Sequence, residues 1–183
     1  MTTKCSAFLA TSLDGYIARE DGSIDWLDAA QSVVPPGEDC GFAQFMSTVD
    51  ALVMGRNTFE QVLTFGQWAY GSTPVVVMSR QSGELPAEAP ATVSLSAEPP
   101  AELAERLAGQ GQQQLYVDGG LTVQSFLAAG LIDEITITII PILLGSGRRL
   151  FGPLPADIHL EQIATKAYDF GFVQLKYQVT RPS

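Results

Sequence analysis

The sequence predicts an α/β fold: a mixed sheet, mainly parallel, with an antiparallel C-terminal hairpin and helices on both faces. Three features point to it. Apolar runs of strand length alternate with segments of helical period as far as Gly130, the pattern of a parallel sheet with crossover helices. Beyond Gly130 only strand-like segments follow, the last two flanking an Asp169-Phe170-Gly171 turn. Finally, two apolar runs stop at glycine turns that open straight into helices, at Gly55-Arg56-Asn57-Thr58 and at Asp118-Gly119-Gly120-Leu121-Thr122. At 183 residues the chain is read as a single domain spanning residues 1–183, long enough to bury a core around a sheet.

The elements follow in order. Residues 4–11 form the first strand, and Asp14-Gly15 and Asp21-Gly22 mark turns after it. Residues 26–30 form a short helical turn, and Pro35-Pro36 a loop. Residues 39–48 read as a helix, because Phe42, Phe45 and Met46 fall at i, i+3 and i+4. Residues 50–54 are a strand, 58–64 a helix, and 73–79 a buried-type strand around Val75-Val76-Val77. A proline-broken excursion precedes a short strand at 92–95. Pro99-Pro100 opens a helix to residue 108. Residues 114–117 are a strand and 122–129 a helix, stopped by Gly130 as its C-cap. Strands at 134–143, 159–167 and 172–180 complete the chain.

Composition restricts the function. The net charge of −10 argues against nucleic acid or an anionic membrane as partner. An anionic ligand must then be held by a few local cations. Among only ten Lys and Arg, Arg56, Arg80, Arg148 and Arg149 stand out. Cys5 and Cys40 read as free thiols of a reducing, cytoplasmic compartment. The longest apolar run, around residues 135–144, is interrupted by Thr136, Thr138 and Pro141 and is too short to span a bilayer. One histidine, His159, makes neither a triad nor a histidine-rich metal site, and no metal is expected.

A strand that delivers its chain into a helix N-terminus presents free N–H groups and a favourable dipole to an anion. Gly55 lets backbone approach closely, Arg56 adds charge, and Thr58 can cap the helix or bind an oxyanion. The second turn, at residues 118–122, has the same form. Two such turns suit a ligand with more than one phosphate, such as a dinucleotide. The Gly145-Ser146-Gly147-Arg148-Arg149 segment lacks the strand-to-helix setting and reads as a tight turn.

These residues carry a resemblance. Ala51-Leu52-Val53-Met54 running into Gly55-Arg56-Asn57-Thr58-Phe59-Glu60 resembles the dihydrofolate reductase superfamily. So do Ser12-Leu13-Asp14-Gly15-Tyr16-Ile17-Ala18 and Val117-Asp118-Gly119-Gly120. Gly130-Leu131-Ile132-Asp133-Glu134, Pro141-Ile142-Leu143-Leu144-Gly145-Ser146-Gly147 and Leu150-Phe151-Gly152 resemble one branch, the riboflavin-biosynthesis reductase (RibD C-terminal) domain and its free-standing bacterial relatives. The resemblance covers nearly the whole chain in order. It implies NADPH laid across the carboxyl ends of the parallel strands. Gly55, Arg56, Asn57 and Thr58 would hold one part of the pyrophosphate, and Gly119, Gly120, Leu121 and Thr122 the other. Ser79 and Arg80 would read the 2′-phosphate, Ala10 and Ile17 would flank the nicotinamide, and Asp118 would stand beside the cofactor. The Gly119–Gly120 bond is often cis in this superfamily.

Hydride transfer to a C=N bond also requires a proton donor. Asp39, at the start of the helix before the Gly55 strand, maps onto the substrate carboxylate of the folate reductases, with a raised pKa expected if it is partly buried. A helix N-cap is the alternative for this residue. Glu38 lies beside it, while Asp14 and Asp118 are further donors, and the branch often has Glu at the position of Asp118. The activity implied is NADPH-dependent reduction of a pteridine- or pyrimidine-type heterocycle, resembling 5-amino-6-(5-phosphoribosylamino)uracil reductase. The alternatives are a dihydrofolate or pterin reductase and a non-catalytic NADP-binding module. The chain departs from the branch in having no histidine between the first loop and the second strand, and it lacks the Pro-Trp pattern of true folate reductases. Ile135, Ile137 and Ile139 alternate with Thr136 and Thr138, an apolar face expected at or near an open edge and across a homodimer axis; a central strand covered by the chain's own helices is the alternative.

Overall fold

The structure, a computed structural model, describes residues 3–80 and 83–181. Among them the chain runs β1 (Lys4–Ser12), β2 (Tyr16–Ala18), α1 (Asp25–Ala30), α2 (Phe42–Met46), β3 (Ala51–Gly55), α3 (Arg56–Leu63) and β4 (Val75–Met78). It continues with β5 (Val93–Ser96), α4 (Pro100–Gly109), β6 (Gln114–Asp118), α5 (Gly120–Ala128) and β7 (Ile132–Ile140). The last strands are β8 (Arg148–Arg149), β9 (His159–Ala167) and β10 (Val173–Thr180). One eight-stranded sheet is ordered β5-β4-β3-β6-β1-β7-β10-β9. Its pairs are parallel from β5 to β7, and β10 then pairs antiparallel with both β7 and β9.

The period of two along each strand builds two cores, one per face. On β3, Ala51 and Val53 point into a core with Leu103 and Leu107 of α4 and Val123 and Phe126 of α5. Leu52 and Met54 point the other way, onto Phe59 and Val62 of α3, with Phe42 and Phe45 of α2 at the margin. Residues 51–54 are wholly inaccessible. Each fully buried Val, Leu or Met contributes about 1.5–3 kcal/mol relative to exposure, so β3 anchors both layers. A smaller cluster of Trp26, Ile140, Tyr168 and Phe172 closes the β7–β10 side.

Three expectations change, and one feature is new. The helix expected over residues 39–48 is only Phe42–Met46. Gly41 precedes it at φ 82, and the Asp39 carboxylate accepts the Gly41 and Ala43 N–H groups at 2.9 and 2.8 Å. The chain therefore turns at Asp39 and becomes helical only afterwards. The Gly119–Gly120 bond is not cis, since no cis peptide occurs among the described residues. Gly119 instead makes the turn with φ 88, a conformation natural to glycine. Strand β7 is not at an edge but lies between β1 and β10, with Ile135 in the core and Ile137 packed against it. The edge on that side of the sheet is β9, exposed along its whole length, where Leu160 and Ile163 face solvent. Finally, β2 and β8 pair into a small antiparallel ribbon that no local pattern announces.

Candidate functional site

Strands β3 and β6 are neighbours, yet their helices leave to opposite faces: α3 packs with Leu52 and Met54, α5 with Ala51 and Val53. The sheet is therefore split at their carboxyl ends, where an α/β fold opens its ligand crevice. A cleft of about 1280 Å3 lies there. It is lined by Ala10 and Ile17, by Gly55, Arg56, Asn57 and Thr58, by Ser79 and Arg80, and by Asp118, Gly119, Gly120, Leu121 and Thr122. Every residue expected to touch the cofactor is thus brought to one cavity.

The two glycine turns face each other across it. A Cβ on Gly55 would stand 3.1 Å from Thr122 Oγ1, and one on Gly119 would collide with Thr58 Oγ1. Gly120 is covered by Ile17, whose Cδ1 would lie 2.7 Å from an added Cβ. Each turn is therefore kept bare of side chain where the other supplies a threonine hydroxyl, and the N-termini of α3 and α5 converge. At the end of β4, Arg56 Nε donates to Ser79 Oγ at 3.2 Å. Arg56 reaches Glu60 at only 3.9 Å, and its Nη2 is buried without a hydrogen-bond partner. A buried, unpaired guanidinium nitrogen is costly unless a ligand oxygen meets it. Arg80 stands exposed on the same rim. Leu121 is 77% exposed and Phe65 52%, apolar walls that suit a flat ring.

The carboxylates separate clearly. Asp118 lies on the floor of the cleft beside Tyr116. Burial pushes its pKa up to about 6, opposed by the Gly119 N–H, which its carboxylate accepts at 2.8 Å. The Tyr116 hydroxyl donates to the Phe8 carbonyl at 2.8 Å, and burial raises its own pKa and that of Tyr70. Asp14 and Asp39 do not line the cleft. Asp14 clamps two loops: its carboxylate accepts the Ser12 hydroxyl at 2.6 Å, the Gly145 N–H at 2.8 Å and the Leu144 N–H at 3.1 Å. The Ser12 bond chiefly lowers its pKa, to about 2, assisted by the two N–H groups. Asp39 is an exposed turn and cap residue, and the Ala43 and Gly41 N–H groups hold its pKa down, the reverse of the rise expected.

Trp26 and Trp68 pack into the protein's cores and do not line the cleft. Residues 145–147 do form a tight turn, with Gly145 at φ 76 and Gly147 at φ 144. Yet Arg148 and Arg149, which follow it, line the cleft as well. Sequence reasoning misses this placement because nothing local shows β8 pairing with β2. Their one visible signal is cationic charge in a strongly acidic chain.

Such a sheet, crossed by a crevice between two glycine turns, is a dihydrofolate-reductase-like α/β fold. The chain belongs to the RibD C-terminal domain family, which it matches over residues 3–174. It is 35% identical to the uncharacterized protein YwjB of Bacillus subtilis, over 97% of this chain and 98% of that one. A crystal structure of a putative riboflavin biosynthesis protein from Shewanella sp. PV-4 superposes with a TM-score of 0.90 at 41% identity, covering 97% of this chain and 99% of that one. The bifunctional diaminohydroxyphosphoribosylaminopyrimidine deaminase/5-amino-6-(5-phosphoribosylamino)uracil reductase of Thermotoga maritima shares the fold. Its TM-score is 0.71 at 15% identity, over 98% of this chain and 57% of that one.

Proposed function

We propose that this chain is an NADPH-dependent reductase of a pteridine- or pyrimidine-type nitrogen heterocycle. The observation that carries this reading is the crossed pair of glycine turns at the switch point, with the unpaired Arg56 Nη2 beside them. The residues fit the dinucleotide on three counts. Backbone N–H groups at the starts of α3 and α5 suit a pyrophosphate, and the Thr58 and Thr122 hydroxyls face the same gap. Arg56, which the resemblance puts on the pyrophosphate, we assign instead to Ser79 and Arg80, because its Nε donates to Ser79 Oγ; the three form a cationic pocket at the end of β4, the place for a 2′-phosphate. Ala10 and Ile17 give the nicotinamide an apolar seat.

When bound, the nicotinamide supplies a hydride. The protein's own task is to place the acceptor ring and furnish a proton. Two carboxyls line the cleft, Glu98 and Asp118; Glu98 is paired with Arg106, which leaves Asp118 as the one suited to this. Its raised pKa keeps part of its population protonated near neutrality, where an ordinary aspartate is fully ionised. Phe65 and Val62 line the same cleft with apolar surface, and Gln61 offers an amide to ring nitrogens or carbonyls. We accordingly place the proton donor at Asp118 and assign loop and cap roles to Asp14 and Asp39. The Shewanella relative, named for riboflavin biosynthesis, lends the same reading support.

The test is loss of nicotinamide absorbance when the protein and NADPH are mixed with dihydropterins and with ribosylaminopyrimidines. Turnover of the pyrimidine supports the reading, and turnover of the pterin alone favours the folate-like alternative. Tight NADPH binding without turnover of any heterocycle would leave a nucleotide-binding module.

A further inference from the structure

In so acidic a chain, cations left without carboxylates are informative. Lys4, Arg19, Arg106, Lys176 and Arg181 each sit within 3.0 Å of an Asp or Glu oxygen, and Arg56 and Lys166 have one at 3.9 Å. Among the described residues Arg80, Arg148 and Arg149 form no ion pair, and all three line the one cleft. Arg80 belongs to the Arg56–Ser79 corner. The other two come from β8, on the opposite side.

The two β8 arginines differ in what holds them. Arg149 is committed to Tyr16: its guanidinium lies 4.6 Å from the ring centroid, and Nη2 donates to the hydroxyl at 3.0 Å. Arg148 is held only by its stem end, where Nε donates to the Glu20 carbonyl at 3.3 Å. Its guanidinium lies flat on Gly22. A Cβ there would come within 3.0–3.1 Å of Nη1, Cζ and Nη2, and the guanidinium would have to shift by a few tenths of an ångström. Nη1 and Nη2 make no hydrogen bond within the described residues. The strand is fixed against the second glycine turn: Gln124 Nε2 donates to the Arg149 and Leu150 carbonyls at 3.2 and 3.1 Å, and the Arg149 carbonyl would lie 3.1 Å from a Cβ on Gly120. Gly147 brings β8 in, where a side chain would collide with the Ala18 carbonyl.

We propose that Arg148 is a phosphate-binding residue of the cleft, parked on Gly22 and aimed at the pyrophosphate that the α5 turn holds. The proposal rests on the dinucleotide reading above and deepens it. The cofactor's two anionic groups are then divided between two cation sets. Arg56 and Arg80 serve the 2′-phosphate corner, and Arg148 closes over the bridging phosphates from the β2–β8 ribbon. A planar guanidinium with both terminal nitrogens free is suited to bidentate phosphate contact.

Calorimetric titration of the full chain tests this with NADPH, NADH, ADP and 2′-AMP. Arg148→Ala is expected to weaken NADPH, NADH and ADP by a common factor of about 10- to 100-fold, the size of a charged hydrogen bond, and to leave 2′-AMP unchanged. Arg80→Ala should do the reverse, weakening NADPH and 2′-AMP while sparing NADH and ADP. Unchanged ADP and NADH affinity in Arg148→Ala, or a loss confined to the heterocyclic substrate, overturns the proposal and leaves the cofactor reading standing. A wild-type chain that binds none of the four overturns both.

Discussion

Replacing Asp118 with Asn would remove a charge that the fold makes costly, and the effect has a definite pH signature. Burial moves the Asp118 pKa from 3.8 to about 6. The unfolded chain releases this proton at ordinary aspartate pH, whereas the folded chain holds it until about 6. Between those values the native state binds more protons than the unfolded state, so stability falls as pH rises and levels off above 6. Two pKa units at 1.36 kcal/mol each give a loss of about 3 kcal/mol as an upper bound, reduced because Asp118 retains some contact with solvent. Asp118→Asn carries no such cost. Urea denaturation should therefore show the variant gaining on wild type by about 1–3 kcal/mol between pH 4 and pH 8, with the urea m-value unchanged. If Asp118 is the proton donor, turnover should fall in the same variant while NADPH affinity holds. A stability difference that is flat with pH would refute the raised pKa, and undiminished turnover would refute the catalytic role.

Other expectations follow from the same geometry. Arg80→Ala should weaken NADPH by about 1.5–3 kcal/mol, the worth of a charged hydrogen bond, and NADH far less; equal losses would remove Arg80 from the 2′-phosphate corner. Asp14→Asn should lower the urea midpoint at neutral pH, and the gap should close in acid. The depressed Asp14 pKa stabilises the fold above the ordinary aspartate range, and that stabilisation is lost as pH falls through about 2. A gap independent of pH would contradict the clamp. Asp39→Ala should cost about 1 kcal/mol as a lost cap and leave turnover intact; a collapse of turnover in a folded variant would restore a chemical role to this carboxylate. We further propose that two copies of the chain pair through the exposed β9 side and not through β7. Light scattering should show a dimer that Leu160→Asp dissociates without unfolding, whereas Ile135→Asp should unfold the chain; a monomer mass for the wild type would sink the dimer.

The parts of the fold legible in the sequence are those written in local pattern. The apolar run at residues 51–54, the two glycine turns, the Gly130 stop and the hairpin around Asp169–Gly171 each carry their own signal, and each stands where expected. Period and turn chemistry act over a few residues, so they survive without tertiary context. What is not legible depends on pairing at a distance. Strands β2 and β8 are three and two residues long and exist only through each other, which hides the place of Arg148 and Arg149 in the cleft. Asp39 is ambiguous in sequence for a related reason. A carboxylate at a helix start can serve as cap or acid, and only the Gly41 conformation and the position of the cleft decide between them. Asp118 is marked by its motif, but its standing above the other carboxylates comes from burial beside Tyr116, which no spacing rule reveals.

The cleft's affinity for dinucleotides is the most direct test. Calorimetric titration of the wild-type chain with NADPH and with NADH, at one ionic strength, reads it without knowledge of the substrate. One site per chain is expected, with NADPH bound more tightly than NADH by about tenfold or more, because Arg56, Ser79 and Arg80 meet a 2′-phosphate that NADH lacks. Binding of neither nucleotide would contradict the central claim, however well the glycine turns are aligned.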